Sequence, residues 1–385
     1  MDDNRAVNTD TVNEPKSLSN ALLRTVQAAI ASAGGWLPFD RFMALALYEP
    51  GMGYYANTTP KFGHLPQGVA GQGSDFVTAP ELTPLFGQTL ARQVAQALAA
   101  TGTDEIWEFG AGTGVLALQL LDALAAFGQP PRCYTIVDLS GSLRERQRAT
   151  LVAHAERVCW VDALPDVLHG VVLGNEVLDA MPVQLLARVA GVWLERGVVW
   201  DAAHGLAWSD RPTPLRPPLA IEGDHDYTTE IHPQAEAFVC TLAERLQRGV
   251  AFFLDYGFPE TEYFHPQRHM GTLMCHRAHR SDSDPLAELG QKDITAHVNF
   301  TGIALAVQEA GMDVLGYTSQ GRFLFNCGLL DLAKDAGPRE NAMMQKLVNE
   351  HEMGELFKVL AFAPPAGSAG WSPMGFSAGD RTHKL

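Results

Sequence analysis

The chain is poor in cysteine, and the five it has (Cys133, Cys159, Cys240, Cys275 and Cys327) are scattered, odd in number and free of any C-x-x-C pair. That excludes a disulfide framework and predicts reduced thiols. No apolar run is long enough to cross a bilayer, and the start, MDDNRAVNTD, is polar and acidic where an export signal is basic and then apolar. These absences point to a soluble, cytoplasmic protein with no membrane insertion. Positive charge is also scarce: 28 Lys and Arg stand against 44 Asp and Glu, for a net charge of -16. Such a field repels phosphate backbones, so nucleic acid is not expected as a partner and a cationic protein segment is favoured. What the chain has is apolar mass, 46% over 385 residues, ample for one large or two modest domains.

Residues 1–16 show no periodicity and read as disordered, and the Gly/Ser/Pro-bearing end, 365–385, reads as a flexible tail. Residues 17–103 read as a helical N-terminal region: SLSNALLRTVQAAIASAGG and PFDRFMALALY carry apolar residues at helical spacing. A long glycine-rich stretch then runs into a helix from Pro84 to Ala100, and its length suggests a lid. From 104 to 364 short apolar strands alternate with helices, the signature of a doubly wound, mostly parallel α/β sheet. Two stretches break that rhythm. Around 183–232 the pattern alternates in period two, as β-hairpins do, and 258–293 is rich in Pro, His and Gly. Both are candidate substrate-side insertions, and they could form a homodimer interface as easily as a groove.

The most informative stretch is WEFGAGTGVLALQLL. A dinucleotide turn needs G-x-G-x-x-G/A, but Gly110, Gly112 and Gly114 are followed by Val115 at the third required position. Glu108, two residues before the first glycine, would repel a pyrophosphate. An acid followed by close-approach glycines instead suits S-adenosylmethionine, which has an ammonium, a carboxylate and a sulfonium but no phosphate. The helix N-terminus after Gly114 can help hold its carboxylate. Asp138 ends the next strand, where an acid accepts from both ribose hydroxyls. Trp160 and Asp162, at the end of the third strand, are candidate adenine contacts. A nicotinamide oxidoreductase is disfavoured by Glu108 and Val115.

GNEVLDAMP follows the fourth strand and offers Asn175, Glu176 and Asp179. An arginine guanidinium calls for carboxylates that orient it and localise its charge, and Glu176 and Asp179 are of that type. The alternative for both is capping of a following helix. Asp75, Thr78 and Glu81 sit in the glycine-rich loop as helix caps or as cofactor-side lid residues. Asp255 ends the fifth strand, either structural or facing the acceptor. His265, His269, His276 and His279 lie near Cys275 without a common zinc spacing, so no metal is expected. Asp293, Thr295 and His297 read as a capping and packing cluster, with His297 a weak general-base candidate.

PGMGYY, GSDFVTAPELTPLFG, EFGAGTGVLA, GNEVLDAMPV, LDYG, GQKDITAHVNFTG and TSQGRFL together resemble the MidA-like family of S-adenosylmethionine-dependent methyltransferases, from about Ser19 to about Pro364. That family includes the mitochondrial complex I assembly factor that methylates a protein arginine. The resemblance implies a class I methyltransferase sheet, Rossmann-like, with a helical N-terminal extension and inserted substrate-side elements. It implies cofactor contacts from Glu108, Gly110, Gly112, Gly114 and Asp138, and a reaction centre at NEVLDAMP. It also implies a protein substrate with an exposed arginine, a respiratory-complex subunit being the family's example. This sequence departs from the pattern at GSDF for GDF, at Asp138 for Glu and at Asn299 for Asp. A small-molecule acceptor, and an assembly factor that binds the cofactor with little turnover, stay open.

Overall fold

Apolar strands alternating with helices can bury both faces of a sheet only if helices cover both, and the chain does this. The computed structural model describes residues 14–57, 78–138, 140–277 and 280–385. The strands β1 (Glu105–Phe109), β2 (Cys133–Val137), β3 (Val158–Val161), β4 (Leu168–Asn175), β5 (Leu246–Phe258), β6 (Asp313–Ser319) and β7 (Phe357–Ala363) lie in the order β3-β2-β1-β4-β5-β7-β6. The first five are mutually parallel, and β7 runs antiparallel to both β5 and β6. An eighth, two-residue strand, Val298–Asn299, pairs with the end of β5.

Period-two alternation divides the core. Ile106, Val171 and Phe252 face one layer with Leu90, Val94 and Leu120, while Val172, Phe253 and Leu360 face another with Val239, Leu242 and Ile303. The first layer holds the helices α3 (Leu85–Thr101) and α4 (Val115–Ala126), and the second holds α6 (Pro233–Arg245) and α7 (Phe300–Glu309); α1 (Glu14–Ser32), α2 (Phe39–Tyr48) and α5 (Gly141–Thr150) complete the set used below. From β1 the chain order runs outward in both directions. A crevice therefore opens beyond the carboxyl ends of β1, β2 and β4, where ligands bind in sheets of this kind.

The N-terminal region and the first insertion are distant in sequence but form one unit. Leu37–Pro38 pairs antiparallel with Val192–Asp201, which continues through Gln184–Val189 to Tyr227–Ile231. Leu22, Val26, Phe39, Phe42, Leu185 and Val198 share its core. The second insertion forms a small sheet in the order Arg280–Asp282, Met274–Arg277, Asp293–Thr295.

Two boundaries differ from expectation. Helix α1 begins at Glu14, so the N-terminal region starts before residue 17; residues 1–13, and the segment 58–77 with the expected lid and Asp75, lie outside the described residues. The end of the chain, expected to be a flexible tail, is docked. Phe376 is buried against Gly316, where a Cβ would come within 2.2 Å of its ring, and the Asn326 amide donates to the Gly375 and Ala378 carbonyls at 2.8 Å. Tyr317 in β6 donates its backbone N–H to Asp380 (3.0 Å) and accepts from the Arg381 N–H (2.6 Å), and Arg381 pairs with Glu355. Its glycines and serines read as flexible, but a few anchors suffice to dock such a segment.

Candidate active site

One large cavity, of about 1350 Å3, occupies the crevice and is lined by β-strand ends, α2, the turn after it and the second insertion. Its wall carries the acids Glu81, Glu108, Asp138, Glu176, Asp179 and Asp293. This is a cation-attracting chamber in an acidic protein.

The cofactor side comes from one continuous stretch. Gly110, Gly112 and Gly114 all have positive φ (61°, 53° and 83°), which an L side chain adopts only with strain. A Cβ on Gly110 would also stand 2.9 Å from Val177. The bare turn lets a ligand approach the backbone and delivers the chain into the N-terminus of α4. Glu108 is buried and accepts from the Tyr134 hydroxyl at 2.7 Å. Burial lifts its pKa to about 7 against the pull of that hydrogen bond, with the Asp138 charge adding to the rise. A cation beside it would restore the carboxylate. Asp138 accepts from the Ser140 N–H and the Gln147 amide, both at 2.8 Å, which fixes its orientation and leaves acceptor capacity for hydroxyls. These features, a side-chain-free cradle between two oriented acids, fit S-adenosyl-L-methionine.

Thr78 and Glu81 also line the cavity, and Glu81 accepts from Thr113 of the glycine turn at 3.2 Å. Trp160 and Asp162 do not. The Trp160 N–H is spent on Gln147 at 2.9 Å, and the Asp162 carboxylate, 77% exposed, pairs with Arg144. Instead, Trp160 holds the Gln147 side chain that donates to Asp138, and Asp162 holds the Arg144 side chain that donates to the Asp138 carbonyl.

The opposite wall of the cavity gathers residues from four places in the chain. Glu176 sits at φ 55°, a left-handed conformation that costs a non-glycine residue about 1–2 kcal/mol. No helix follows it, so the capping alternative for Glu176 and Asp179 falls away. The turn's amides are held instead by Asp255, whose Oδ2 accepts from Val177 (3.0 Å), Leu178 (2.9 Å) and Asp179 (3.3 Å). Asp255 is off the cavity wall and is a structural residue. Glu176 accepts from the Asn175 amide at 3.0 Å; burial, then the Asp179 charge, raises its pKa to about 8. Asp179 accepts from the Tyr256 hydroxyl, and burial brings it to about 6. Asn175 Oδ1 and Asp179 Oδ1 are buried without a hydrogen-bond partner among the described residues, a costly condition that a donor-rich ligand would relieve.

Tyr48, Tyr55 and Tyr256 also line the cavity and were not singled out in sequence, although each lies inside or beside a quoted motif. His297 lines it too, but burial lowers its pKa to about 4, so it is a poor proton acceptor near neutrality. Among the described residues no group of His, Cys, Asp or Glu is placed to hold a metal ion; His279 lies outside them. No helix among them is long and apolar enough to cross a membrane.

A nucleotide-type α/β sheet with a glycine cradle between two acids defines the class as one that binds S-adenosyl-L-methionine. Residues 89–318 match the model of a family of S-adenosyl-L-methionine-dependent methyltransferases, and the chain belongs to that family. It is 52% identical to a protein from Burkholderia thailandensis whose crystal structure was solved with S-adenosyl-homocysteine bound, with a TM-score of 0.91 over 97% of this chain and 98% of that one. It is 28% identical over 393 residues to the Drosophila melanogaster protein arginine methyltransferase NDUFAF7 homolog, mitochondrial, covering 89% of this chain and 85% of the relative. The Caenorhabditis elegans homolog of the same name is 26% identical over 390 residues, covering 90% and 88%. Those names correct the cytoplasmic expectation: both relatives are mitochondrial. Reduced thiols and a polar start do not distinguish one reducing compartment from another, and all five cysteines are free here.

Proposed function

We propose that this methyltransferase modifies an arginine of a protein substrate, with Glu108, the glycine turn, Asp138, Thr78 and Glu81 on the cofactor side and Asn175, Glu176 and Asp179 on the acceptor side. The observation that carries this reading is the acceptor wall: one oxygen of the Asp179 carboxylate and the Asn175 amide oxygen, both buried without a hydrogen-bond partner among the described residues, with the Glu176 carboxyl beside them, a set that a guanidinium with five N–H donors suits. The names of the mitochondrial relatives support arginine as the acceptor. A respiratory-complex subunit is the substrate that the family resemblance suggests.

When bound, S-adenosyl-L-methionine supplies a methyl group whose bond to sulfur breaks as a bond to nitrogen forms. The protein's part is to hold the guanidinium nitrogen in line with that methyl and to exclude water. Each transfer also leaves a proton to be removed from nitrogen. Burial lifts the pKa of Glu176 to about 8, so near neutrality it holds a proton until the charge of a bound guanidinium restores its carboxylate, and that carboxylate then takes the proton.

The test is incubation of extract from cells lacking the enzyme with purified protein and methyl-labelled S-adenosyl-L-methionine, then acid hydrolysis and amino-acid analysis. Label in methylarginine is expected, and Glu176→Gln should lower its rate by on the order of 10²–10⁴-fold. Label confined to small molecules, or to another amino acid, would sink the reading.

A further inference from the structure

Asp293 lies on the strand Asp293–Thr295, directly across from His276 of the neighbouring strand. It is 3% exposed, yet it stands on the cavity wall. The Tyr55 hydroxyl donates to its Oδ1 at 2.8 Å. Tyr55 stacks on Tyr48, with ring centroids 5.6 Å apart and planes 20° from parallel, and the Tyr48 hydroxyl donates to the Ala180 carbonyl at 2.8 Å, next to Asp179. The Ala296 N–H donates to the Asp179 carbonyl at 2.9 Å, which ties the chain around Asp293 to the acceptor turn. Asp179 and Asp293 both act on the two phenols, raising their pKa on top of burial, so both tyrosines stay protonated and keep donating. Two carboxylates from different elements therefore flank a pair of stacked rings, beside the unpartnered buried oxygens Asn175 Oδ1 and Asp179 Oδ1.

We infer that Asp293 is a specificity-determining residue of the acceptor pocket, working with the Tyr48–Tyr55 pair to admit a planar guanidinium and refuse a lysine ammonium. This rests on the arginine reading above. A guanidinium is flat, stacks on aromatic faces and offers donors along several edges, so one group can meet Asp179, Asp293 and a tyrosine face together. A lysine ammonium is a compact, strongly hydrated point charge and can be desolvated against only part of that set. Tyr55 is a positioning residue, because its hydroxyl aims Asp293.

The experiment is calorimetric titration, in saturating S-adenosyl-homocysteine, with Nα-acetyl-arginine amide and Nα-acetyl-lysine amide. The wild-type protein should prefer arginine by about tenfold or more, and Asp293→Asn should weaken arginine binding by roughly tenfold and bring the two ligands close together, an effect typical of a lost charged hydrogen bond. Tyr55→Phe, which keeps the ring, should lower the arginine preference by a smaller factor. Should Asp293→Asn leave the preference intact while Asp179→Asn removes arginine binding, the inference is overturned and the arginine reading survives. Wild-type protein that binds S-adenosyl-homocysteine but shows no arginine preference removes both. If Asp293→Asn does not fold, Tyr55→Phe decides: an unchanged preference overturns the inference.

Discussion

The two halves of the cavity are built in opposite ways. In the cofactor half, Glu108 and Asp138 already have partners in Tyr134, Ser140 and Gln147, and the ligand is met by groups fixed in advance. In the acceptor half, Asn175 Oδ1 and Asp179 Oδ1 are buried without partners among the described residues and Glu176 sits in a left-handed conformation, while burial raises the acids of both halves alike. The first half is preorganised. The second stores an unfavourable arrangement, which the proposed guanidinium acceptor would relieve.

If the halves are independent, a lesion in one should spare the other. The largest effect expected is from Gly110→Val, where positive φ and a Cβ 2.9 Å from Val177 combine. The strain should cost about 2–4 kcal/mol, on the order of a hundredfold or more in S-adenosyl-homocysteine affinity by calorimetry. Glu176→Gln, by contrast, should leave that affinity within about threefold, a difference below 1 kcal/mol; a parallel collapse would show the halves to be one unit.

The next effect is pH dependence. Burial lifts the pKa of Glu108 to about 7, so below pH 7 it holds a proton that a cationic ligand must displace. Cofactor affinity is therefore fully present above that pKa and declines as pH falls through it, approaching a tenfold loss per unit at about pH 6. Titrations across this range should show the slope, and Glu108→Gln should flatten it. The smallest effect is at Asp162. Its carboxylate is exposed and off the cavity wall, so Asp162→Ala should change cofactor affinity by no more than about 0.5 kcal/mol.

The same contrast explains what was legible in the sequence. Apart from Thr78 and Glu81, the cofactor half lies between Glu105 and Gln147, and its glycines and acids declare themselves at fixed spacing because each serves one strand–turn–helix unit. For Trp160 and Asp162 a strand end shows which edge a residue is on, not whether it faces the ligand or supports a neighbour. In the acceptor half only Asn175, Glu176 and Asp179 are contiguous. Tyr48, Tyr55, Tyr256 and Asp293 come together through pairing between the N-terminal region, β5 and the second insertion, and no local pattern encodes that. The expected sheet is present. The union of the N-terminal helices with the first insertion, through Leu37–Pro38 and Val192–Asp201, had no sequence signal beyond two separate apolar patterns.

The docked chain end has a consequence for how the molecule behaves among its own copies. β6 is one of the two edge strands of the main sheet, and such a strand is a ready template for lateral growth. At Tyr317 both backbone groups are already occupied, the N–H by Asp380 and the carbonyl by Arg381. The final residues thus act as a selvedge that blocks the middle of this edge from pairing with a neighbour's strand.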